Sequence, residues 1–290
     1  MALDPYTAVW VSHTSISDFL ACPRSYFLKN VYKDPKTGNK IQVMSPPLAL
    51  GQAVHEVLEN LSVVPTDKRF DTPLIEKFEE SWKRVAGKKG GFWDKDTEHR
   101  YKQRGIDMIK RVQAHPGVLA KKAVKINMDL PHFWLSEEEE IILCGKIDWL
   151  EYNEENDSVH IVDFKTGKSR QTQESLQLPI YMLLVNECQK REVEAISYWY
   201  LESADEPETQ PLPDPDQSRK KVLDIARRVK VARKLEKFDC PHNGCSNCAQ
   251  YEAVLRGEGE HVGVNAFRQD VYIVKPKAKL SDSEEDSRIL

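Results

Sequence analysis

Two short stretches decide the fold: Gly145-Lys146-Ile147-Asp148-Trp149-Leu150 and Val162-Asp163-Phe164-Lys165-Thr166-Gly167. Side chains alternate across a strand, so Asp163 and Lys165 share one face. The polar segment Glu154-Glu155-Asn156-Asp157-Ser158 reads as a turn joining strands 140–152 and 158–164 into a hairpin. Across that hairpin Asp148 can face the other two. Two carboxylates held together repel unless a cation lies between them. Magnesium takes oxygen ligands and keeps positions open for water and phosphate. Bound there, it would polarise a phosphate and activate a water. Lys165 would orient that water and oppose the charge developing on phosphorus. Taken as two strands alone, the same residues also read as an Asp148–Lys165 cross-strand ion pair beside an ordinary Thr-Gly turn.

Upstream of these strands the chain is mainly helical. Ser15 and Asp18 resemble a capping box that starts a helix near Ser15, with Ile16, Phe19, Leu20 and Phe27 at helical spacing. Residues 33–47 are rich in turn formers and read as a loop. Helices are expected over 48–60, 72–85 and 97–114, with Gly87, Gly90 and Gly91 breaking the chain between the last two. The period then changes, and 123–130 reads as a further strand. Downstream come a helix containing 181–188, a strand over 195–201, an acidic, proline-bearing loop over 204–216, and a basic helix over 218–237. This order predicts an α/β fold, a mixed central sheet with helices packed over it.

The series Gly51-x-x-x-His55, Gly145-x-Ile-Asp148, Asp163-x-Lys165-Thr-Gly and Gln177-x-x-x-Tyr181 resembles the PD-(D/E)XK nuclease superfamily. Within it, the similarity is to the branch with the RecB and AddB nuclease domains and the Cas4 proteins. The resemblance implies a restriction-endonuclease-like core with a helical insertion. It also implies a cation held by Asp148, Asp163, His55 and the Phe164 backbone carbonyl, with Lys165 serving the attacking water. Mg2+ or Mn2+ would be the catalytic ion, and an imidazole ligand makes manganese as suitable as magnesium. Gln177 and Tyr181 would support the lysine and contact substrate phosphate. Four residues apart they share a helical face, although Pro179 between them would kink a helix unless it falls in the first turn.

The chain has six cysteines. Cys144 and Cys188 stand singly in apolar surroundings and read as buried thiols. Cys240, Cys245 and Cys248 are clustered, and Cys22 stands upstream in a Cys-Pro step. Four thiolates can hold zinc or an iron–sulfur centre. The resemblance implies a [4Fe-4S] cluster with a structural role, since one upstream cysteine and a downstream trio match that branch. The spacing here, four residues and then two, departs from its usual order and keeps zinc as an alternative.

Composition is that of an ordinary soluble chain: 40% hydrophobic, 30% charged and a net charge of −4. No apolar run reaches the roughly eighteen residues of a membrane span, and the N-terminus lacks the features of an export signal. A cytoplasmic setting is the expectation. One nuclease domain over 1–275 is expected: a helical part (12–120), a core (121–237) and a clasp joining Cys22 to 240–248. An acidic, disordered tail would follow over 276–290. Nine Lys or Arg over 218–237, against Asp224 and Glu236, suggest a phosphate-binding surface. The substrate expected is DNA with a free end or single-stranded region. No P-loop occurs, so a motor would come from a helicase partner, in repair or in a CRISPR system. A non-catalytic DNA-binding protein of this fold and a zinc-stabilised structural protein are the alternatives.

Overall fold

The computed structural model describes residues 4–276, so the acidic tail expected beyond them lies outside the described residues. Ten strands and eight α-helices are described. The strands are β1 (Val9–Val11), β2 (Ile41–Val43), β3 (His132–Ser136), β4 (Ile141–Cys144), β5 (Trp149–Asn153), β6 (Ser158–Lys165), β7 (Val193–Tyr200), β8 (Glu208–Gln210), β9 (Gly259–Val264) and β10 (Asp270–Val274). The helices are α1 (His13–Ala21), α2 (Pro23–Tyr26), α3 (Pro46–Glu59), α4 (Leu74–Val85), α5 (Lys95–Ala114), α6 (Gln177–Cys188), α7 (Pro215–Lys234) and α8 (Ser246–Leu255).

The central sheet runs β5-β6-β7-β8, with β6 and β7 parallel and the outer pairs antiparallel. Its strands are apolar on both faces because helices cover both. Val159 and Ile161 of β6 pack toward α6 and α7, within a core that includes Leu183, Leu184, Val222 and Val229. Val162 and Phe164 point the other way, against Leu50, Val54, Phe78 and Ile109 of α3, α4 and α5. Asp163 and Lys165 therefore continue the α6-facing row, as period-two alternation predicts. The mixed α/β architecture agrees with the expected restriction-endonuclease-like core.

The expected strand 140–152 is two strands in two sheets. β4 lies between β1 and β3, whereas β5 is an edge of the central sheet. The chain crosses at Gly145-Lys146-Ile147-Asp148, where a Cβ on Gly145 would come within 2.9 Å of the Leu184 side chain. Glycine at the crossing thus lets the chain pass close to the Leu184 side chain of α6. Asp148 sits in the bend, and its Oδ2 accepts the Phe164 amide at 2.9 Å in place of a regular ladder partner.

Other boundaries differ for similar reasons. α1 begins at His13 with Ser12 as cap, and Ser15 is the third helical residue of the capping box, not its start. Segment 123–130 forms only an Ala123–Glu151 bridge, and a Met128 amide to Ile126 carbonyl bond turns it away from the sheet. The presumed loop 33–47 contains β2, which pairs parallel with β10. The acidic loop 204–216 contains β8 and enters α7 at Pro215. Pro179 is the third residue of α6, in the first turn, where its missing N–H costs no helical bond. Cys144 is buried and Cys188 half-buried.

Candidate active site

Helix α3 delivers His55 to the bend at Asp148. Gly51, one turn earlier, faces the turn after β6, where a Cβ would lie 3.4 Å from Thr166 Oγ1. His55 Nδ1 is 3.5 Å from Asp148 Oδ1 and 3.3 Å from Glu59 Oε1. The ligand atoms of His55, Glu59 and Asp148 all lie within 4.8 Å of one another, a grouping able to hold a metal ion. Glu59 is the member that sequence reading missed. Its signal is the i, i+4 relation to His55, which resembles an ordinary surface pair on a helix.

Asp163 stands beside this trio, 1% exposed. Its Oδ1 accepts from Gln177 Nε2 at 2.6 Å. Its Oδ2 lies 2.5 Å from Lys165 Nζ in an ion pair but receives no hydrogen bond. Gln177 Oε1 accepts from Lys165 at 2.5 Å, and the Gln177 amide donates to Tyr181 Oη at 3.2 Å. The first turn of α6 thus bridges the carboxylate and the lysine of β6. Phe164 enters through its amide bond to Asp148, with its ring packed edge-on against His55.

The charges are strongly coupled. Burial pushes the Asp163 carboxyl well up, and Asp148 adds to this, while Lys165 opposes it. Burial disfavours the His55 imidazolium, but Asp148 and Glu59 overcome that and raise it to about 10. Burial and the neighbouring carboxylates also hold the Tyr181 phenol protonated. The two carboxylates and the imidazole of this trio form a donor set that suits a hard divalent cation, and Asp163, beside it, lies outside the group of mutually close ligand atoms.

Asp148 and Tyr181 line a cleft of about 870 Å³, with Ser12, His13, Lys40, Lys146 and Arg268 around it. His13 was not foreseen either. Burial lowers it to about 4, with the Lys165 charge contributing, so a neutral ring borders the lysine. Elsewhere, Glu151, His160 and Ser197 form a row with 2.9 and 2.7 Å bonds that mimics a nucleophilic triad. Ser197 is completely buried within the sheet, so this row is structural.

The four cysteines do meet. Cys22 caps α2 and Cys245 caps α8, and all four sulfurs lie within 4.8 Å of one another. Sγ–Sγ separations are 3.7 Å for Cys245–Cys248 and 3.8 Å for Cys248–Cys240. Amides of Ser25 and Gly244 point at the sulfurs of Cys22 and Cys240. The Cys248 amide, together with that of Asn247, lowers the Cys245 thiol to about 6. Arg24 to Glu252 at 2.5 Å and Ser25 to the Asn247 carbonyl at 3.0 Å tie the same two helices.

Several cations of the basic helix α7 are engaged by neighbouring groups. Arg227 pairs with Glu139 and Asp224, Lys230 bonds the Glu139 backbone, and Arg219 pairs with Glu187. Arg228 lies over the Phe19 ring. None of these residues lines the cleft.

No described helix is long and apolar enough to cross a membrane. No curated protein matches the chain significantly. The family model of the PD-(D/E)XK nuclease superfamily, by contrast, matches residues 10–253, a span containing His55, Asp148, Asp163, Lys165 and the α6 residues that bridge them. That match covers most of the chain, which therefore belongs to the PD-(D/E)XK nuclease superfamily.

Proposed function

We propose that this protein is a divalent-metal-dependent deoxyribonuclease that degrades DNA from an end, most akin to the RecB, AddB and Cas4 branch of its superfamily. The observation carrying this reading is the convergence of His55, Glu59 and Asp148 beside the Asp163–Lys165 pair in one open cleft. His55, Asp148, Asp163 and the Phe164 carbonyl would hold Mg2+ or Mn2+, with Glu59 as a further ligand. Such a cation supplies phosphate polarisation and a water acidified toward neutral pH.

The chain's own residues do the rest. Lys165 is held between Asp163 and Gln177, so its ammonium has a fixed direction from which to orient a water and to meet negative charge on phosphorus. Gln177 locks that direction by bonding both partners. Tyr181, kept protonated in the cleft wall, offers a hydroxyl donor to a phosphate oxygen. Incubating the protein and its Asp163→Asn variant with end-labelled linear DNA and with closed circles tests the reading. Metal-dependent loss of label from linear DNA only, absent in the variant, is the expected result. Cleavage of circles would reject action from an end.

The cysteine site serves as a clasp between α2 and α8 in this reading. A tetrahedral ion with bonds of about 2.3 Å places its sulfurs about 3.8 Å apart. Thiolates around a [4Fe-4S] cube stand farther apart, because each binds a different iron. The observed 3.7 and 3.8 Å favour one ion, zinc, over the cluster implied by resemblance. Repair and CRISPR adaptation, with a helicase partner in either, are the settings the branch resemblance suggests.

A further inference from the structure

The β9–β10 turn carries an aromatic ring to the mouth of the cleft. Phe267 is 85% exposed, the greatest exposure of any large hydrophobic side chain after Tyr6 among the described residues. It nonetheless lines the same cleft as Asp148 and Tyr181. The turn beneath it is firmly built. Asn265 Oδ1 accepts the amides of Phe267 at 2.9 Å and Gln269 at 3.0 Å, and its Nδ2 donates to Gln42 at 2.6 Å and Gln269 at 2.8 Å. Arg268 adopts a left-handed conformation with φ of 56°, which turns the chain sharply after the ring. The cross-braced turn thus presents an exposed phenyl ring at the lining of the cleft that holds Asp148 and Tyr181.

Cations surround it. Lys33, Lys40 and Arg268 line the cleft and form no ion pair among the described residues. Burial depresses the Lys40 ammonium, and the charges of Arg233, on α7, and of Lys33 depress it further, so these like charges act on one another. Such crowding is relieved by an anion that follows the cleft.

We infer that Phe267 stacks on a base of a single-stranded DNA segment whose phosphates run along Lys33, Lys40 and Arg268 toward Asp148. This deepens the nuclease reading and rests on it. Stacking requires a base whose face is free, as in a single strand, and it is tolerant of sequence. The cleft of about 870 Å³ has room for a few nucleotides along its floor.

The test uses the full chain carrying Asp163→Asn, to prevent cleavage, with a fluorescent oligothymidylate of roughly 15 nucleotides, near the upper single-strand site size. Phe267→Ala should weaken its binding about tenfold or more, with little change for a blunt hairpin duplex. Phe267→Trp should restore the single-strand affinity. Replacing Lys33 and Lys40 by Gln should flatten the salt dependence by roughly two contacts. Equal oligothymidylate binding by Phe267→Ala and its parent would overturn the inference and leave the nuclease reading intact. Absence of any DNA binding by the parent would overturn both.

Discussion

His55 Nδ1 lies 3.5 Å from Asp148 Oδ1, although one residue belongs to a helix in the N-terminal part and the other to a bend between two sheets. The contact exists because α3 packs against the even-numbered face of β6 through Val54 and Phe164, while Asp148 is pinned to the same strand by the Phe164 amide. One strand thus sets the relative position of an imidazole and three carboxylates.

Glu59 completes that group, and its removal should be read in metal affinity. Glu59→Gln keeps the side-chain length and an oxygen facing His55 but removes a charge. We expect Mn2+ affinity by calorimetry to fall about tenfold to hundredfold, the scale seen when a partner of a metal site is lost. Unchanged affinity would reduce Glu59 to a partner of His55 and Lys146.

The cysteine clasp predicts one zinc per chain by elemental analysis. Cys22→Ser should lower stability by several kcal/mol, because metal binding and folding are coupled, without altering any group in the cleft. Brown protein with iron and acid-labile sulfide would reject zinc and favour the cluster.

A third expectation concerns stability alone. Arg69 is 3% exposed, and its guanidinium donates to the carbonyls of Leu61 at 3.0 Å, Val64 at 3.1 Å and Leu119 at 2.8 Å, and to that of Lys121. It also lies over Trp149. Arg69→Ala leaves these carbonyls without their donor and should cost about 3 kcal/mol, measured by denaturant unfolding. A loss below about 0.5 kcal/mol, the range of ordinary surface changes, would show that water replaces the side chain.

The face shared by Asp163 and Lys165 was legible from strand periodicity, and the helices over α3, α4, α5 and α7 from theirs. The meeting of His55 with Asp148, and of Cys22 with the downstream trio, was legible only through family resemblance, because no local spacing encodes a contact between distant segments. β2 and β10 went unread for the same reason: each finds its partner at the other end of the chain. The β4–β5 break was hidden because an apolar run with one glycine looks like continuous strand, whereas β4 and β5 pair in different sheets. The charge of α7 was legible but its use was not. Nine cations in sequence say nothing of Glu139, which neutralises Arg227 from a turn in another sheet.

The central claim is that Asp163 serves hydrolysis and not the fold. The most direct measurement is the rate at which Asp163→Asn releases nucleotides from end-labelled single-stranded DNA with Mg2+ or Mn2+, alongside its DNA affinity. Asn retains the acceptor for Gln177 but lacks the charge that faces Lys165 and a cation. Cleavage should fall by at least about 3 kcal/mol in activation free energy, more than a hundredfold, with affinity changed only a few-fold. A variant that binds DNA and cleaves it at the rate of the unaltered protein would contradict the account.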